Sequence, residues 1–307
     1  MGRLSNIRMV DPVLTNLALG YSNAEYVGQH LMPFVPVDKE ANKLPKFGKE
    51  AFKIYSTERA LRAKSNRINP EGITLVDLNT DEHDLEYPID YREDAEAAFP
   101  LQAHATNVST GGIALRREKM IADLAQNPAN YAASNKIALS GTSQFTHASS
   151  DPVNVIEDGK EAVRAKIGKR PNTMIIGASA LKPLKFHPAL LDKIKYTQMG
   201  AIRLAQLREL FEIENIYVGE AVYSSDADVF GDIWSDSIVL AYVPTHQSSV
   251  ERNLMEPSYG YTPRRKGNPL VDVRTEDGKI EVVRATDNFR PYMVAAEAGY
   301  LITDTNL

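Results

Sequence analysis

Apolar residues recur at helical spacing in several stretches of the chain. Val13, Leu14, Leu17 and Ala18 do so within residues 11–32, where Asp11-Pro12 supplies a cap and an N1 proline. Residues 101–127 carry Val108, Ile113, Leu115, Ile121 and Leu124 among good helix formers and make the longest predicted helix. Its interior holds Gly111-Gly112, each glycine costing roughly 1 kcal/mol relative to alanine. Either the helix bends there or a neighbouring backbone packs closely. Asp151 before Pro152 starts a helix over 152–167, AIRLAQLRELFEI reads as another, and SALKPLKFHPALLDKI gives helical pieces broken by Pro183 and Pro188.

Short apolar runs alternate with these helices. TMIIG (173–177), NIYVGEAVY (215–223) and SIVLAYVP (237–244) read as strands, which makes 152–250 a compact α/β unit. Further on, VDVR and IEVV flank Glu276-Asp277-Gly278, a strong hairpin signal, and MVAAEAGYLIT (293–303) closes with a last strand.

The N-terminal third follows other rules. Pro33, Pro36 and Pro45 make the segment around 34–48 too proline-rich for a central strand, so it reads as an extended arm lying on a surface. Beyond it the charges separate. Lys39, Lys43, Lys46, Lys49, Lys53, Arg59, Arg62, Lys64 and Arg67 precede the turn signal Asn69-Pro70-Glu71-Gly72, and Asp77, Asp81, Glu82, Asp84, Glu86, Asp90, Glu93, Asp94 and Glu96 follow it. A long hairpin with a basic and an acidic limb fits this order, as does a solvated charge-rich loop. As a hairpin its limbs would reach ~50 Å at ~3.3 Å per residue. A lone hairpin of that length is unstable in water and would have to rest on another molecule.

Length and charge narrow the function. The 307 residues suggest about two domains. Forty acidic against 35 basic residues leave a net charge of -5, poor equipment for gripping a phosphate backbone along a whole face. There is no cysteine, so disulfides and thiolate chemistry are excluded. The start lacks the apolar core of a signal peptide and no 18 apolar residues run together, which predicts a cytoplasmic, membrane-free protein. Phosphate-loop, dinucleotide and zinc-protease motifs are missing. Gly177-Ala178-Ser179-Ala180-Leu181 lacks the second glycine of a nucleophile elbow, so Ser179 reads as a helix N-cap. Asp81, Glu82, His83 and Asp84 cannot all converge on one metal ion from a strand, because neighbours point to opposite faces. Arg264-Arg265-Lys266 reads as a solvated tip or a contact for an acidic neighbour.

The order of arm, hairpin, long helix, α/β unit and returning hairpin resembles the major capsid proteins of tailed bacteriophages, with the α+β Hong Kong 97-type shell fold. DPVLTNLALGYSNAEYVGQHLMPFVPV, KFGKEAF, NPANYAASNKIALSG, RPNTMIIGASALKPLKFHP, IYVGEAVY, VLAYVP, EPSYGYT and AAEAGYLI carry the resemblance over nearly the whole chain. It implies an N-terminal arm at 1–45 and an extended hairpin (the E-loop) at 46–91. It also implies a peripheral domain at 92–151 and 251–290 with a long spine helix, and an axial domain at 152–250 and 291–307.

The resemblance further implies a structural protein without active site or cofactor, self-assembling into hexamers and pentamers of a virion head around DNA held without sequence-specific contacts. A separate scaffolding protein is expected because the chain begins directly with the arm; a portal, and room for a decoration protein, come with the family. Lys46, Lys49, Lys53, Arg59, Arg62, Lys64, Arg67, Asp77, Asp81, Glu82, Asp84, Glu86, Arg264, Arg265 and Lys266 become candidates for contacts between subunits, and Gly111 and Gly112 for a hinge in the spine helix. Lysines of the hairpin could supply amines for the isopeptide cross-link some members form, but nothing in the sequence identifies its asparagine or glutamate. Two other functions fit less of the chain: an encapsulin-like compartment shell, and a soluble α/β enzyme with an unrecognised site.

Overall fold

The computed structural model describes residues 23–46, 54–67, 74–193, 202–224, 229–244 and 258–306. In chain order these hold α1 (Gly28–Leu31), β1 (Phe34–Val37), β2 (Ala41–Lys46), β3 (Thr74–Asn79), β4 (Asp81–Asp90), α2 (Tyr91–Glu96), α3 (Leu101–Ala125) and β5 (Lys136–Ala138). Then come α4 (Pro152–Ile167), β6 (Thr173–Gly177), α5 (Ala178–Phe186), α6 (Pro188–Lys193), α7 (Leu204–Phe211), β7 (Asn215–Gly219), β8 (Val222–Ser224), β9 (Phe230–Asp232) and β10 (Ile238–Ala241). The chain ends with β11 (Gly260–Arg265), β12 (Leu270–Glu276), β13 (Ile280–Phe289), β14 (Tyr292–Met293) and β15 (Gly299–Thr303).

Two sheets organise the molecule. One runs β5-β15-β10-β6-β7, with β10 antiparallel to both its neighbours. Every residue of β6 and β10 is buried, as continuous apolar runs demand of strands covered on both faces. One face packs Met174, Ile176 and Leu240 against Ile156 and Val163 of α4 and Leu207 and Phe211 of α7. The other packs Ile175, Val239 and Leu301 against Ile121, Ala122 and Ala125 of α3. The second sheet runs β1-β11-β13-β12, with β4 paired to β13 and β14 to β11. The first turns of α3 cover it, Leu101 and Ala105 meeting Ile89 and Val283, and Ile113 meeting Ala285 and Phe289. One 25-residue helix thus lies on both sheets.

Local chemistry accounts for most of these elements. The Asp151 side chain accepts from the Asn154 amide at 3.1 Å, Pro152 fills the first turn of α4, and Gly168 ends it at φ 71°. Asp277 and Gly278 take φ 49° and 65°, the left-handed pair that a type I′ hairpin turn requires.

The structure corrects several expectations. Of the helix expected over 11–32, only α1 is helical among the described residues, and residues 11–22 lie outside them. The arm is not merely laid on a surface: β1 pairs in parallel with β11 at the sheet edge, where Pro36 costs no ladder bond to a second neighbour. The 46–91 hairpin is shorter than expected. β2 pairs with β3 from Lys46↔Thr74 to Ala41↔Asn79, but β4 leaves it and pairs with all ten residues of β13, where Ile89 is buried against Leu101, Ala105 and Val283. The turn at Asn69–Gly72 lies outside the described residues; the described chain reverses at Ala60–Ala63, with Arg62 at φ 66°. NIYVGEAVY is two strands, because the chain breaks at Glu220 and Ala221 and β8 pairs with β9 instead. Val108 faces solvent, Ser179 sits inside α5 after its Gly177 cap, and residues 136–138 join the five-stranded sheet.

At the centre lies a buried carboxylate. Glu118 of α3 is fully inaccessible, and its Oε1 accepts from the amides of Val27 and Gly28 at 3.0 Å and from Trp234 Nε1 at 2.6 Å. Gly28 is required because a Cβ there would stand 2.7 Å from Glu118 Oε2. Burial pushes the Glu118 carboxyl above the usual carboxylate range, against the pull of these donors and of the neighbouring Arg117 guanidinium.

Glu118→Ala leaves three buried donors unmet and should cost about 3 kcal/mol, whereas Glu118→Gln keeps an acceptor and should cost less. A carboxyl raised in the folded state holds its proton more tightly there, so its contribution to stability falls as pH climbs from ~4.3 through the raised value. The stability of Glu118→Gln relative to the native chain should therefore improve across that window. Denaturation followed by fluorescence of Trp234, the only tryptophan, measures both effects.

Candidate assembly surface

The charged residues singled out by sequence divide into those neutralised within the chain and those left at the surface. Arg264, Arg265 and Lys266 are all neutralised, and their acidic neighbours belong to the same subunit. Arg264 makes a two-pronged bond to Asp287 at 2.8 and 2.7 Å, Arg265 reaches Glu40 at 3.1 Å, and Lys266 reaches Asp38 at 2.7 Å. Phe34 lies between two guanidinium groups, Arg264 at 4.6 Å and Arg117 at 4.7 Å from its ring centre. The end of β11 and Lys266 after it are therefore a clamp on the arm, and Asp38, Glu40 and Phe34 are what it holds.

The acidic candidates sit on β3 and β4. Asp77 faces Lys43 across the hairpin at 3.7 Å, and Asp81 meets Arg290 at 3.4 Å. Glu86 takes two bonds from Arg274 at 2.5 and 3.0 Å, and Arg284 beside it takes Asp272 at 3.0 Å. These guanidinium hydrogen bonds hold Glu86 and Asp272 below the usual carboxylate range. They form a cross-strand ladder on the sheet face opposite α3, since Leu85 and Phe289 at alternate positions point toward the helix. Glu82 and Asp84 on the ladder face are exposed.

The basic candidates lie on the loop beyond β2. Arg59, Arg62, Lys64 and Arg67 are all exposed, in a segment 54–67 in which only Tyr55 is partly covered. The loop holds its shape by backbone contacts: Asn66 Nδ2 donates to the carbonyls of Ser56 and Glu58 at 2.8 and 3.0 Å, and Arg59 to that of Ala63 at 2.5 Å. Ile54 and Leu61 are 96% and 89% exposed. Two large aliphatic side chains are thus bare among four cations. Lys49 and Lys53 lie outside the described residues, and of Lys46 only the backbone is described, in β2.

Gly111 and Gly112 differ. The helix runs unbroken through both; a Cβ at Gly111 would meet nothing, whereas one at Gly112 would stand 2.6 Å from Leu85 Cδ1. Close packing thus explains the second glycine and not the first.

One arrangement resembles a nucleophile with its base. Ser150 Oγ lies 2.9 Å from Nε2 of the buried His187. His187 Nδ1 accepts from the Ala189 amide at 3.2 Å, so Nε2 carries the ring proton and faces the His147 carbonyl as well. An imidazole in that tautomer cannot take the serine proton, and the pair is structural.

Sequence reading missed Glu118 and Trp234. A signal existed: Glu118 falls on the stripe defined by Ile121, Ala122 and Ala125, where a carboxylate must be buried and so must find donors.

Comparison with known proteins agrees with this geometry. The family described as phage major capsid protein E matches residues 16–306. The major capsid protein of Burkholderia phage BcepMu is 64% identical over 306 residues, covering all of both chains. The crystal structure of a phage-related protein from Bordetella bronchiseptica RB50 superposes with a TM-score of 0.76 at 34% identity, over 97% of this chain and 98% of that one. A structure from Mycobacterium phage Che8 shares the fold at 15% identity, with a TM-score of 0.57 over 94% of each chain.

Proposed function

The chain belongs to the phage major capsid protein E family, and from that premise we propose how its parts build a phage head. It is a structural shell protein of the virion, not an enzyme. The exposed loop 54–67 carries the proposal, because Ile54 and Leu61 are 96% and 89% exposed there among four cations. β2, β3 and this loop act as the E-loop, reaching over a neighbouring subunit. α3 acts as the spine helix, residues 92–151 and 251–290 as the peripheral domain, and 152–250 with 291–307 as the axial domain. The arm, expected over residues 1–45, then ends where β2 begins at Ala41. Of the fifteen contact candidates, Arg59, Arg62, Lys64 and Arg67 are best placed to meet acidic residues of a neighbour, Glu82 and Asp84 among them. Hexamers and pentamers, a separate scaffolding protein, a portal, a decoration protein and DNA held without sequence preference complete the reading.

The purified chain, alone or with its scaffolding protein, should sediment as capsomers or closed shells visible by electron microscopy; compact monomers under every condition would refute the function. Replacing Arg59, Arg62, Lys64 and Arg67 together by Glu should reduce particle yield severalfold while the subunit stays soluble, since each contact recurs throughout a shell. Undiminished yield would remove the loop charges from assembly.

The spine helix is also proposed to bend before maturation, with Gly111 as its soft point. Gly111→Ala should stabilise the helix by about 1 kcal/mol and yield shells that form poorly or expand early. Gly112→Ala should instead act through displacement of Leu85. Procapsid diameters measured before DNA packaging separate the two, and equal diameters and expansion rates for Gly111→Ala and the native chain would exclude the hinge.

A further inference from the structure

β12 is an open edge. Among the described residues its sole strand partner is β13, so its other side presents a row of unpaired backbone groups. Proteins usually blunt such an edge with proline, lysine, a bulge or brevity. Here LVDVRTE runs seven residues without proline, glycine or lysine, in unbroken register from Leu270↔Thr286 to Glu276↔Ile280. Leu270, Val271 and Val273 are 57%, 44% and 53% exposed: the two valines lie on the face that α3 covers over β4 and β13, and Leu270 lies on the opposite face. Asp272 and Arg274 pair within the chain with Arg284 and Glu86 yet stay 46% and 39% exposed, one acid and one base two residues apart along the strand.

We infer that β12 pairs antiparallel with β12 of a second copy of this chain across a two-fold axis through Val273, fusing two six-stranded sheets into one. The inference rests on the shell reading above. The occupant follows from charge complementarity. With the axis at Val273, Asp272 faces Arg274 of the second copy and Arg274 faces Asp272, while Val271 faces Thr275 and Val273 faces itself. Moving the axis to residue 272 sets two aspartates opposite each other, and moving it to 274 sets two arginines opposite each other, both destabilising across strands. Moving it to 275 runs the pairing into the Asp277-Gly278 turn and strands Leu270 and Val271. A two-fold axis perpendicular to the sheet keeps the face covered by α3 on one side throughout, as an isologous contact requires. Seven residues bury far less than the ~1,200 Å² of a free-standing interface, so the pair belongs to the assembled shell and not to the isolated subunit.

The absence of cysteine makes the register measurable. Particles of Val273→Cys, oxidised after assembly and run without reductant, should be mostly covalent dimers. Val271→Cys particles should stay monomeric, because the two thiols would lie ~13 Å apart along the strands. The double variant Val271→Cys/Thr275→Cys should dimerise again. Intact particles in which Val273→Cys stays monomeric, or Val271→Cys links equally well, overturn the pairing while leaving the shell function standing. Absence of particles from the native chain would overturn the shell reading and the pairing with it. Should Val273→Cys itself block assembly, the double variant reads the same register.

Discussion

A carboxylate sealed inside a protein must be answered by donors, and the position of Glu118 makes the rest of this fold answer it. Its three donors come from two separate places: the adjacent arm amides of Val27 and Gly28, and the indole of Trp234. Eight residues further along α3, Gln126 fixes the same tryptophan loop, donating to the Ile233 carbonyl and accepting from the Ser235 amide and the Ser237 hydroxyl. The loop is in turn wedged against β6 and β7, where Gly177 and Gly219 leave no room for a Cβ beside Ser235 and Trp234. Losing the carboxylate would leave buried donors unmet, a far larger cost than losing an exposed bond. Arm, long helix and five-stranded sheet are therefore positioned by one polar requirement that apolar packing alone would not impose.

The two sheets manage their surfaces in opposite ways. The five-stranded sheet is buried on both faces at its central strands β6 and β10. The six-stranded sheet is covered by α3 on one face and carries the Arg274, Arg284, Glu86 and Asp272 ladder on the other. That ladder and the Arg264–Lys266 clamp take up Glu86 and three of the cations that sequence reading had assigned to neighbours. Arg59, Arg62, Lys64 and Arg67 in the loop beyond β2 stay exposed, as do Glu82 and Asp84 on β4.

Local signals made part of this legible. Asp151-Pro152 and Gly168 bracket α4, TMIIG reads directly as a buried strand, and Asp277-Gly278 encodes its own turn, because each depends on residues adjacent in sequence. Non-local pairing was not legible. The acidic run from Asp81 looks like the return limb of a hairpin, and nothing within it indicates that β13, about two hundred residues later, supplies its partner. Likewise NIYVGEAVY reads as one strand until Ala221 is seen to receive the Ile233 amide, which turns the chain toward β9. Glu118 was legible only as an anomaly, a carboxylate on an apolar stripe whose donors lie about ninety and more than a hundred residues away.

Assembly adds a constraint that folding alone lacks. A closed shell requires each subunit to leave a wrong position faster than its neighbours lock it in, so single contacts must be weak and only their sum decisive. Solvated ion pairs fit this role, because exposed pairs contribute little individually and are screened beyond ~8 Å at physiological salt. An internal clamp fits the opposite role. The Arg264–Asp287 pair, backed by Phe34 and partly withdrawn from water, holds the arm firmly in the free subunit. If the loop cations meet neighbours as proposed, dividing the arginines and lysines between a committed clamp and an exposed loop gives one chain both a fixed shape before assembly and reversible contacts during it. The net charge of -5 adds a mild repulsion between subunits, against which any contact made by the loop cations would have to act.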